Sequence, residues 1–305
     1  MEGAMKADAG AILEPVDRTL ARVAVAAPAL AARAGAAIRA ATAPLSATCW
    51  PELATGFSRL TNTGYPLEFA WCSRDAELRW TAELAPPEVP HVRRLDLALR
   101  AAGIGLEEAG PWREAQQSRV LRYGAWLGVR HRPDGDARKA YAELPACLPP
   151  AWAAHPLLRS TLLAWRMAGL GADGSVEFYA RGAELDAAML RGAEAAAFGG
   201  EGRLVAAARA LLGRDELPRP SGLSLAFDRG GMPKALAWFV FAKAVFRDDA
   251  ACGAALARMA RGEAERCLLA ALAGGQGDGR WRHGMLGLVL GREGEVWLQA
   301  GIRPA

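Results

Sequence analysis

The amino-acid sequence predicts an α+β fold in which ten antiparallel β-strands close into a barrel with helices on its outside. Five segments are typical of β-hairpins, because in each of them two runs of alternating residues flank a turn signal. Helical stretches separate the hairpins at a spacing of roughly 50 residues, which indicates a repeat architecture. Each hairpin has one apolar face and one face that is polar, aromatic or mixed.

In such a barrel the apolar faces would pack against the helices and the polar faces would line a lumen. A barrel of about ten strands is wider than one that its own side chains fill, so it can contain a small-molecule chamber. An open α+β sheet with one solvated face would explain the alternation equally well. It would not explain why aromatic and charged residues are mixed on the polar face.

The N-terminal region is rich in alanine and predicts two amphipathic helices that separate near Pro28. Arginines interrupt it every few residues, so it has no apolar run long enough to span a membrane. We expect residues 1–305 to form a single domain, in which residues 1–58 lead into the first repeat.

The first hairpin, at residues 61–84, has the clearest alternation. Leucine and aromatic residues form one face of its strands, and the other face carries Glu68, Arg79 and Glu83. A carboxylate and a guanidinium directed into the same space are costly unless that space is hydrated or takes part in chemistry. The polar face of this hairpin is therefore the first candidate for a functional surface.

The remaining elements follow from the same signals. A helix that ends at Gly103 comes after the first hairpin. The other predicted strand pairs are 122–131 with 137–145, 162–170 with 175–182, 222–228 with 235–243, and 283–291 with 295–303. The segment 162–170 also has helical spacing. Two helices are predicted between about 184 and 212, divided at Gly199 and Gly200, and one helix over 248–273.

Charge and cysteine content bear on the function class. The net charge is only +4 and the arginines are scattered, so nucleic-acid binding is not indicated. The five cysteines have no metal-finger spacing and the four histidines are isolated, so the sequence supports no metal site. An odd number of unpatterned cysteines is typical of a reducing, cytoplasmic location.

The first hairpin resembles the first repeat of the ABBA-type aromatic prenyltransferases, in the branch of the indole (dimethylallyltryptophan) prenyltransferases. LTNTGYPLEFAW followed by ELRWTAEL is similar to their turn, their strand with a glutamate and their next strand with an arginine, here Glu68 and Arg79. The K-x-Y of their second repeat is matched by Lys139 and Tyr141. The fold of that family, a PT barrel of five αββα repeats, agrees with the ten strands predicted above.

The resemblance implies an enzyme that ionises an allylic diphosphate and traps the carbocation with an aromatic ring. A departing diphosphate needs fixed cations directed into the chamber. The implied diphosphate-binding residues are Arg79, Lys139, Arg181 and Lys243, with Arg166 or Lys234 as further options. No DDxxD-like cluster is present, so we expect no Mg²⁺ requirement and no other cofactor.

The resemblance also implies aromatic faces that shield the carbocation from water. The candidates for this shield and for substrate contacts are Tyr141, Tyr179, Trp126, Trp297 and Gln299, while the facing of Trp238 is open. Glu68 would be the catalytic residue. It would orient the acceptor, for instance by accepting an indole N–H, and would take up the proton when the ring becomes aromatic again.

Two departures from the family pattern leave the donor chain length and the acceptor open. Glu177 stands where the third repeat of the family usually has basic residues, and the chain has only four tyrosines in total. Other interpretations of these residues also stay open. Glu68 and Arg79 could form a cross-strand ion pair, Lys139 could be a solvated edge residue, and Tyr141 and Tyr179 could be ordinary lining aromatics.

The sequence thus predicts a soluble enzyme of secondary metabolism that transfers a prenyl group, dimethylallyl first, from its diphosphate to an aromatic acceptor such as an indole or tryptophan derivative. Nucleic-acid and membrane partners are not expected. The alternatives are a peptide-modifying prenyltransferase and a non-catalytic barrel that binds an amphipathic small molecule.

Overall fold

A computed structural model describes residues 9–42, 65–85, 89–117, 121, 124–144, 148–160, 163–182, 185–275 and 281–305, with side chains from residue 13 onward. Residues 61–64 of the predicted first hairpin lie outside these ranges. So do residues 122, 123, 145 and 162 at the ends of predicted strands.

Ten antiparallel strands close into one barrel, which confirms the predicted fold class. Each strand pairs with its neighbours along the chain, and β1 pairs with β10 to complete the ring. The strands are β1 Leu67–Cys72, β2 Leu78–Glu83, β3 Ala125–Arg132, β4 Gly135–Glu143, β5 Trp165–Gly171, β6 Val176–Gly182, β7 Ser221–Phe227, β8 Pro233–Phe241, β9 His283–Gly291 and β10 Val296–Ile302. Because neighbouring strands run antiparallel, all five hairpin turns lie at the same end of the barrel.

The described helices are α1 Ala9–Ala26, α2 Pro28–Thr42, α3 His91–Ala102, α4 Gly110–Gln117, α5 Pro150–Ala153, α6 Pro156–Ser160, α7 Ala187–Phe198, α8 Arg203–Leu212, α9 Asp249–Met259 and α10 Glu263–Ala273. The predicted break near Pro28 is confirmed, since proline suits the first position of a helix. Helix α3 ends at Gly103, whose φ of 77° is the left-handed conformation that glycine adopts at low cost.

Two element boundaries differ from the prediction. The single helix over 248–273 is wrong, because the chain leaves the helical conformation at Ala260 and a second helix begins after Gly262. Between the two helices, the backbone N–H of Arg261 donates to the carbonyl of Ser73 over 3.1 Å, and its side chain donates to the carbonyl of Val296 over 2.6 Å. These two hydrogen bonds attach the segment between the two helices to the barrel. Strand β8 ends at Phe241, so Lys243 lies in a short 3₁₀ turn beyond it.

The outward faces of the strands form the main hydrophobic core with the helices. Phe69, Trp71, Trp80, Phe178 and Trp238 are all buried there, with at most 1% of their surface exposed. Burial of each such side chain stabilises the fold by about 2–3 kcal/mol relative to exposure. Trp238 therefore belongs to the outer core, and its side chain faces the helices and not the lumen. None of the helices in the described part of the chain is long and apolar enough to cross a bilayer.

The inward faces combine charged and aromatic residues with many glycines and alanines. The glycines give the large side chains room to cross neighbouring strands. A Cβ atom at Gly128 would lie 2.8 Å from the ring of Tyr141, and one at Gly169 would lie 2.6 Å from Cδ of Lys139. Any side chain at these two positions would displace the residues that line the lumen.

Candidate active site

Three basic side chains on adjacent strands face the lumen: Arg79 on β2, Arg130 on β3 and Lys139 on β4. Arg79 and Arg130 are direct cross-strand partners in the β2–β3 register. Burial, and after it the charge of Arg79, lower the pKa of Arg130. These three basic residues lie on adjacent strands on one side of the barrel and are called the basic belt below.

Carboxylates from the β1–β2 turn meet the two arginines of this belt. Nη2 of Arg79 donates to both carboxylate oxygens of Asp75, over 2.7 and 2.6 Å, and to Oε2 of Glu77 over 3.2 Å. Nε of Arg130 lies 3.2 Å from the same Oε2 of Glu77. Arg79 is therefore paired with its own turn, and not with Glu68 as a simple cross-strand ion pair would require.

Lys139 is paired with Glu177 of β6. Its Nζ donates to Oε2 of Glu177 over 2.7 Å, and Oγ of Ser224 donates to Oε1 over 2.7 Å. Burial alone would raise the pKa of Glu177, but the charge of Lys139 and hydrogen bonds from Lys139, Tyr179 and Ser224 outweigh it and lower that pKa. The pKa of Lys139 is raised, since Glu177 outweighs the opposing effect of burial. Strand β4 is paired on both sides, so Lys139 is not a solvated edge residue.

Glu68 has a different environment. It projects from β1 into the lumen, is half-buried, and has no hydrogen-bond or ion-pair partner among the residues that the structure describes. Its carboxylate lies directly over the Cα positions of Gly284 and Gly301, where any Cβ would collide with it. Burial raises the pKa of Glu68 to about 7. A carboxylate of this kind can accept a proton or an N–H from a bound ligand near neutral pH.

Aromatic rings line the lumen beside Lys139. The rings of Tyr141 and Tyr179 are 6.0 Å apart between centroids, and that of Phe239 is 6.3 Å from Tyr179. Burial, together with the charge of Glu177, raises the pKa of Tyr179 well above its ordinary value, so it remains a neutral phenol. Trp126 is buried and is the cross-strand partner of Tyr141.

Gln299 of β10 links Trp297 of the same strand to Arg79. With its amide oxygen turned toward both donors, Gln299 accepts from Nη1 of Arg79 over 3.3 Å and from Nε1 of Trp297 over 3.1 Å. The guanidinium of Arg74 lies 3.7 Å above the Trp297 ring. Trp297 also packs with Cys72 in a small buried cluster of residues that face the lumen.

The structure does not bring the other predicted cations into the belt. Arg181 is exposed and its guanidinium lies 4.5 Å from the ring of Phe241. Lys243 is exposed, outside any strand, with its Nζ 5.9 Å from the ring of Trp281. Arg166 and Lys234 are also exposed.

Arg130 is the member of the belt that sequence reasoning missed. It shares a strand face with Trp126, two positions beyond Gly128, so the alternation that selected Trp126 also selects Arg130. The other partners, Asp75 and Glu77, lie in a turn where alternation gives no signal. In the part of the chain that the structure describes, no group of three or more His, Cys, Asp or Glu is arranged to hold a metal ion.

The barrel is similar to solved structures of prenyltransferases. The 5-dimethylallyltryptophan synthase from Streptomyces coelicolor in complex with DMASPP and Trp is 17% identical over 97% of this chain and 94% of that chain, with a TM-score of 0.74. The 6-dimethylallyltryptophan synthase from Micromonospora olivasterospora in complex with DMASPP and Trp is 17% identical over 96% of this chain and 97% of that one, with a TM-score of 0.75. AnaPT from Neosartorya fischeri is 13% identical over 82% and 80%, with a TM-score of 0.57.

These similarities establish the fold, which is the PT barrel that the first hairpin led us to expect. The amino-acid sequence matches no protein-family model and no curated protein sequence.

Proposed function

We propose that this protein is an aromatic prenyltransferase that moves a prenyl group, with dimethylallyl as the first candidate, from its diphosphate to an aromatic acceptor. Indole and tryptophan derivatives are the first acceptors to consider. One observation carries the proposal: the carboxylate of Glu68, which has no partner in the described part of the chain, faces the same lumen as the cations Arg79, Arg130 and Lys139. Two barrels of the same fold were solved with DMASPP and Trp, which supports this choice of substrates.

The basic belt would bind the donor. When the allylic C–O bond breaks, the diphosphate leaves with the bonding electrons, and fixed cations stabilise this transition state more than the ground state. Arginine can hold phosphate oxygens in a bidentate fork, whereas Lys139 acts as a point charge. Because protein side chains would supply this charge, we propose that turnover does not require Mg²⁺.

Glu68 and the aromatic residues that line the lumen would act on the acceptor. A ring carbon forms a C–C bond with the allylic cation, and the resulting arenium ion loses a proton from that carbon. Glu68 would orient the acceptor and accept the proton, for which a pKa of about 7 is well matched. The faces of Tyr141, Tyr179 and Trp126 would shield the cation from water.

A second function is favoured by the pairing of the cations with carboxylates. Lys139 is neutralised by Glu177 at 2.7 Å, and Arg79 by Asp75 at 2.6 Å, so the belt has little net charge. A non-catalytic barrel that binds an amphipathic small molecule would need no larger positive charge in its lumen. The two functions differ in whether a diphosphate is consumed.

Mass spectrometry tests the proposal. Purified protein is incubated with dimethylallyl, geranyl or farnesyl diphosphate and with tryptophan, indoles, phenols or aromatic peptides, with and without EDTA. We expect an acceptor to gain ~68 Da with the C5 donor. The same product should form in the presence of EDTA, because protein cations stabilise the leaving group. A peptide product would instead assign the peptide-modifying activity. If no donor is consumed while a ligand still binds, the non-catalytic barrel is the correct function.

We further propose a cytoplasmic location and a role in secondary metabolism. The thiols of Cys72, Cys252 and Cys267 are free, which supports a reducing compartment.

A further inference from the structure

The carboxylate of Glu77 lies among three arginines at the hairpin-turn end of the barrel. Its Oε2 is 3.2 Å from Nη2 of Arg79 and 3.2 Å from Nε of Arg130, and its Oε1 is 3.5 Å from Nε of Arg132. Proteins commonly hold a phosphate group by placing several guanidiniums around its oxygens. Here a side chain of the protein itself occupies the centre of that arrangement.

The three arginines offer more donors than the turn carboxylates use. Arg79 is only 7% exposed, and its Nε is buried without a hydrogen-bond partner among the described residues. The side chain of Arg132 is partly exposed, but its Nε atom is buried, lies within ion-pair distance of Glu77 and makes no hydrogen bond to any residue that the structure describes. A buried guanidinium with an unused N–H is costly unless a further acceptor binds there. The unused donors therefore point to an anionic ligand larger than one carboxylate.

Glu77 can leave this position without unfolding the turn. The start of the turn is fixed, because the N–H of Ser73 donates to the carbonyl of Leu298 over 2.8 Å and its Oγ accepts from the N–H of Leu298 over 2.9 Å. The side chain of Glu77 is 19% exposed and lies at the rim. Rotation about its own side-chain bonds would carry the carboxylate into solvent while the backbone stays in place.

We propose that Glu77 is a built-in counterion in an anion site formed by Arg79, Arg130 and Arg132, and that phosphate oxygens bind there by displacing it. The site would take a phosphate ester or diphosphate at the rim of the barrel. Only the identity of that ester as a prenyl donor rests on the proposed function. Displacement means that Glu77 weakens phosphate binding, although it is ion-paired with the residues that bind phosphate.

Isothermal titration calorimetry of the full chain with sodium pyrophosphate tests this inference. Removal of the competing charge in Glu77→Gln should tighten pyrophosphate binding about 10-fold, and loss of a guanidinium in Arg130→Gln should weaken it by about 10-fold or more. Glu77→Asp keeps the charge but shortens the side chain, so it should tighten binding by a smaller factor. The matched control is Glu293→Gln, which removes an exposed carboxylate from the β9–β10 turn at the same end of the barrel; it should change the affinity less than about 2-fold.

Three results would overturn the inference. The first is unchanged or weaker pyrophosphate binding by Glu77→Gln or Glu77→Asp in variants that melt like the wild type. The second is equal tightening by Glu77→Gln and Glu293→Gln, which would show a long-range charge effect alone. The third is wild-type affinity in Arg130→Gln. If Glu77→Gln does not fold, Glu77→Asp and Arg130→Gln decide the question.

Parallel prenyl-transfer assays separate this inference from the proposed function. Tighter pyrophosphate binding by Glu77→Gln without any prenylated product would support the anion site and remove the prenyltransferase function. Product formation by the wild type with unchanged pyrophosphate affinity in Glu77→Gln would keep the function and remove the counterion role of Glu77.

Discussion

Among the described residues, the carboxylate of Glu68 has no hydrogen-bond or ion-pair partner, because the positions beneath it are glycines. Gly284 and Gly301 provide the space that the side chain occupies, and neither contributes a side-chain donor. The carboxylate thus loses water without gaining a cation, and its pKa rises to about 7. At the scale of single residues, this makes Glu68 the group best suited to exchange a proton with a ligand near neutral pH.

The raised pKa of Glu68 predicts how stability depends on pH. The group titrates at about 7 in the folded state against an ordinary value of 4.5, so the folded protein binds more protons than the unfolded chain between these values. The contribution of Glu68 is fully present below pH 4.5 and is lost as the pH rises through 7. Glu68→Gln should therefore raise the free energy of unfolding on the order of 2 kcal/mol at pH 8.

Urea denaturation at pH 8 and at pH 4.5 checks this prediction. At pH 4.5 the difference between the variant and the wild type should shrink toward zero. The exposed Glu293→Gln is the control, with no such pH dependence expected. A variant that is no more stable than the wild type at pH 8 would contradict the conclusion that the carboxylate of Glu68 is desolvated without a compensating partner.

The same pKa predicts the pH dependence of turnover. If ionised Glu68 accepts the proton, the rate under substrate-saturating conditions should fall about tenfold per pH unit below pH 7 and level off above it. Glu68→Gln should be slower by about 10²-fold or more and should lose this dependence. Steady-state rates from pH 5 to 9 measure both effects. An unchanged profile in Glu68→Gln would assign the titration to another group.

At the scale of elements, strands β4 and β6 are joined through the lumen by the pair of Lys139 and Glu177. The pair is partly buried, so breaking it on one side leaves an incompletely solvated charge, whereas removing both charges costs less. Lys139→Met alone should lower the free energy of unfolding by about 2 kcal/mol, and Glu177→Gln should restore part of it in the double variant. A double-mutant cycle in urea gives the coupling energy. Additive losses would mean that the 2.7 Å contact contributes nothing to the fold.

The alternation of apolar and polar residues predicted the strands well, but it did not predict which side chains pair with one another. It located all ten strands, with most ends within a few residues, because each strand has to bury one face against helices. The same alternation also places Arg130 on the face of β3 that carries Trp126. It could not give Asp75 and Glu77 as partners of Arg79, since the path of a five-residue turn depends on contacts such as that of Ser73 with Leu298.

Two further errors concern the ends of elements. Lys243 follows an alternating run, but β8 has already ended at Phe241 when the chain enters a 3₁₀ turn. The helix predicted over 248–273 is divided because Arg261 binds the barrel through Ser73 and Val296. The break in the helix depends on partners that are distant in sequence, which a local pattern does not contain.

At the scale of the whole molecule, the lumen combines opposite charges rather than presenting a positive surface. Arg79, Arg130 and Lys139 each contact a carboxylate that comes either from the β1–β2 turn or from β6. A diphosphate would have to compete with these carboxylates for the same donors. The barrel would then bind its donor by exchange of partners, and affinity would depend on the residues that give way as well as on those that bind.

We propose that this lumen transfers a prenyl group with its own side chains. The most direct measurement is product formation by mass spectrometry in EDTA, with dimethylallyl diphosphate and tryptophan or indole acceptors, for the wild type, Glu68→Gln, Arg79→Gln and the control Glu293→Gln. We predict a ~68 Da product from the wild type and Glu293→Gln, and losses of about 10²-fold or more in the two lumen variants. Absence of product from the wild type with every donor and acceptor, or equal product from all four proteins, would contradict the claim.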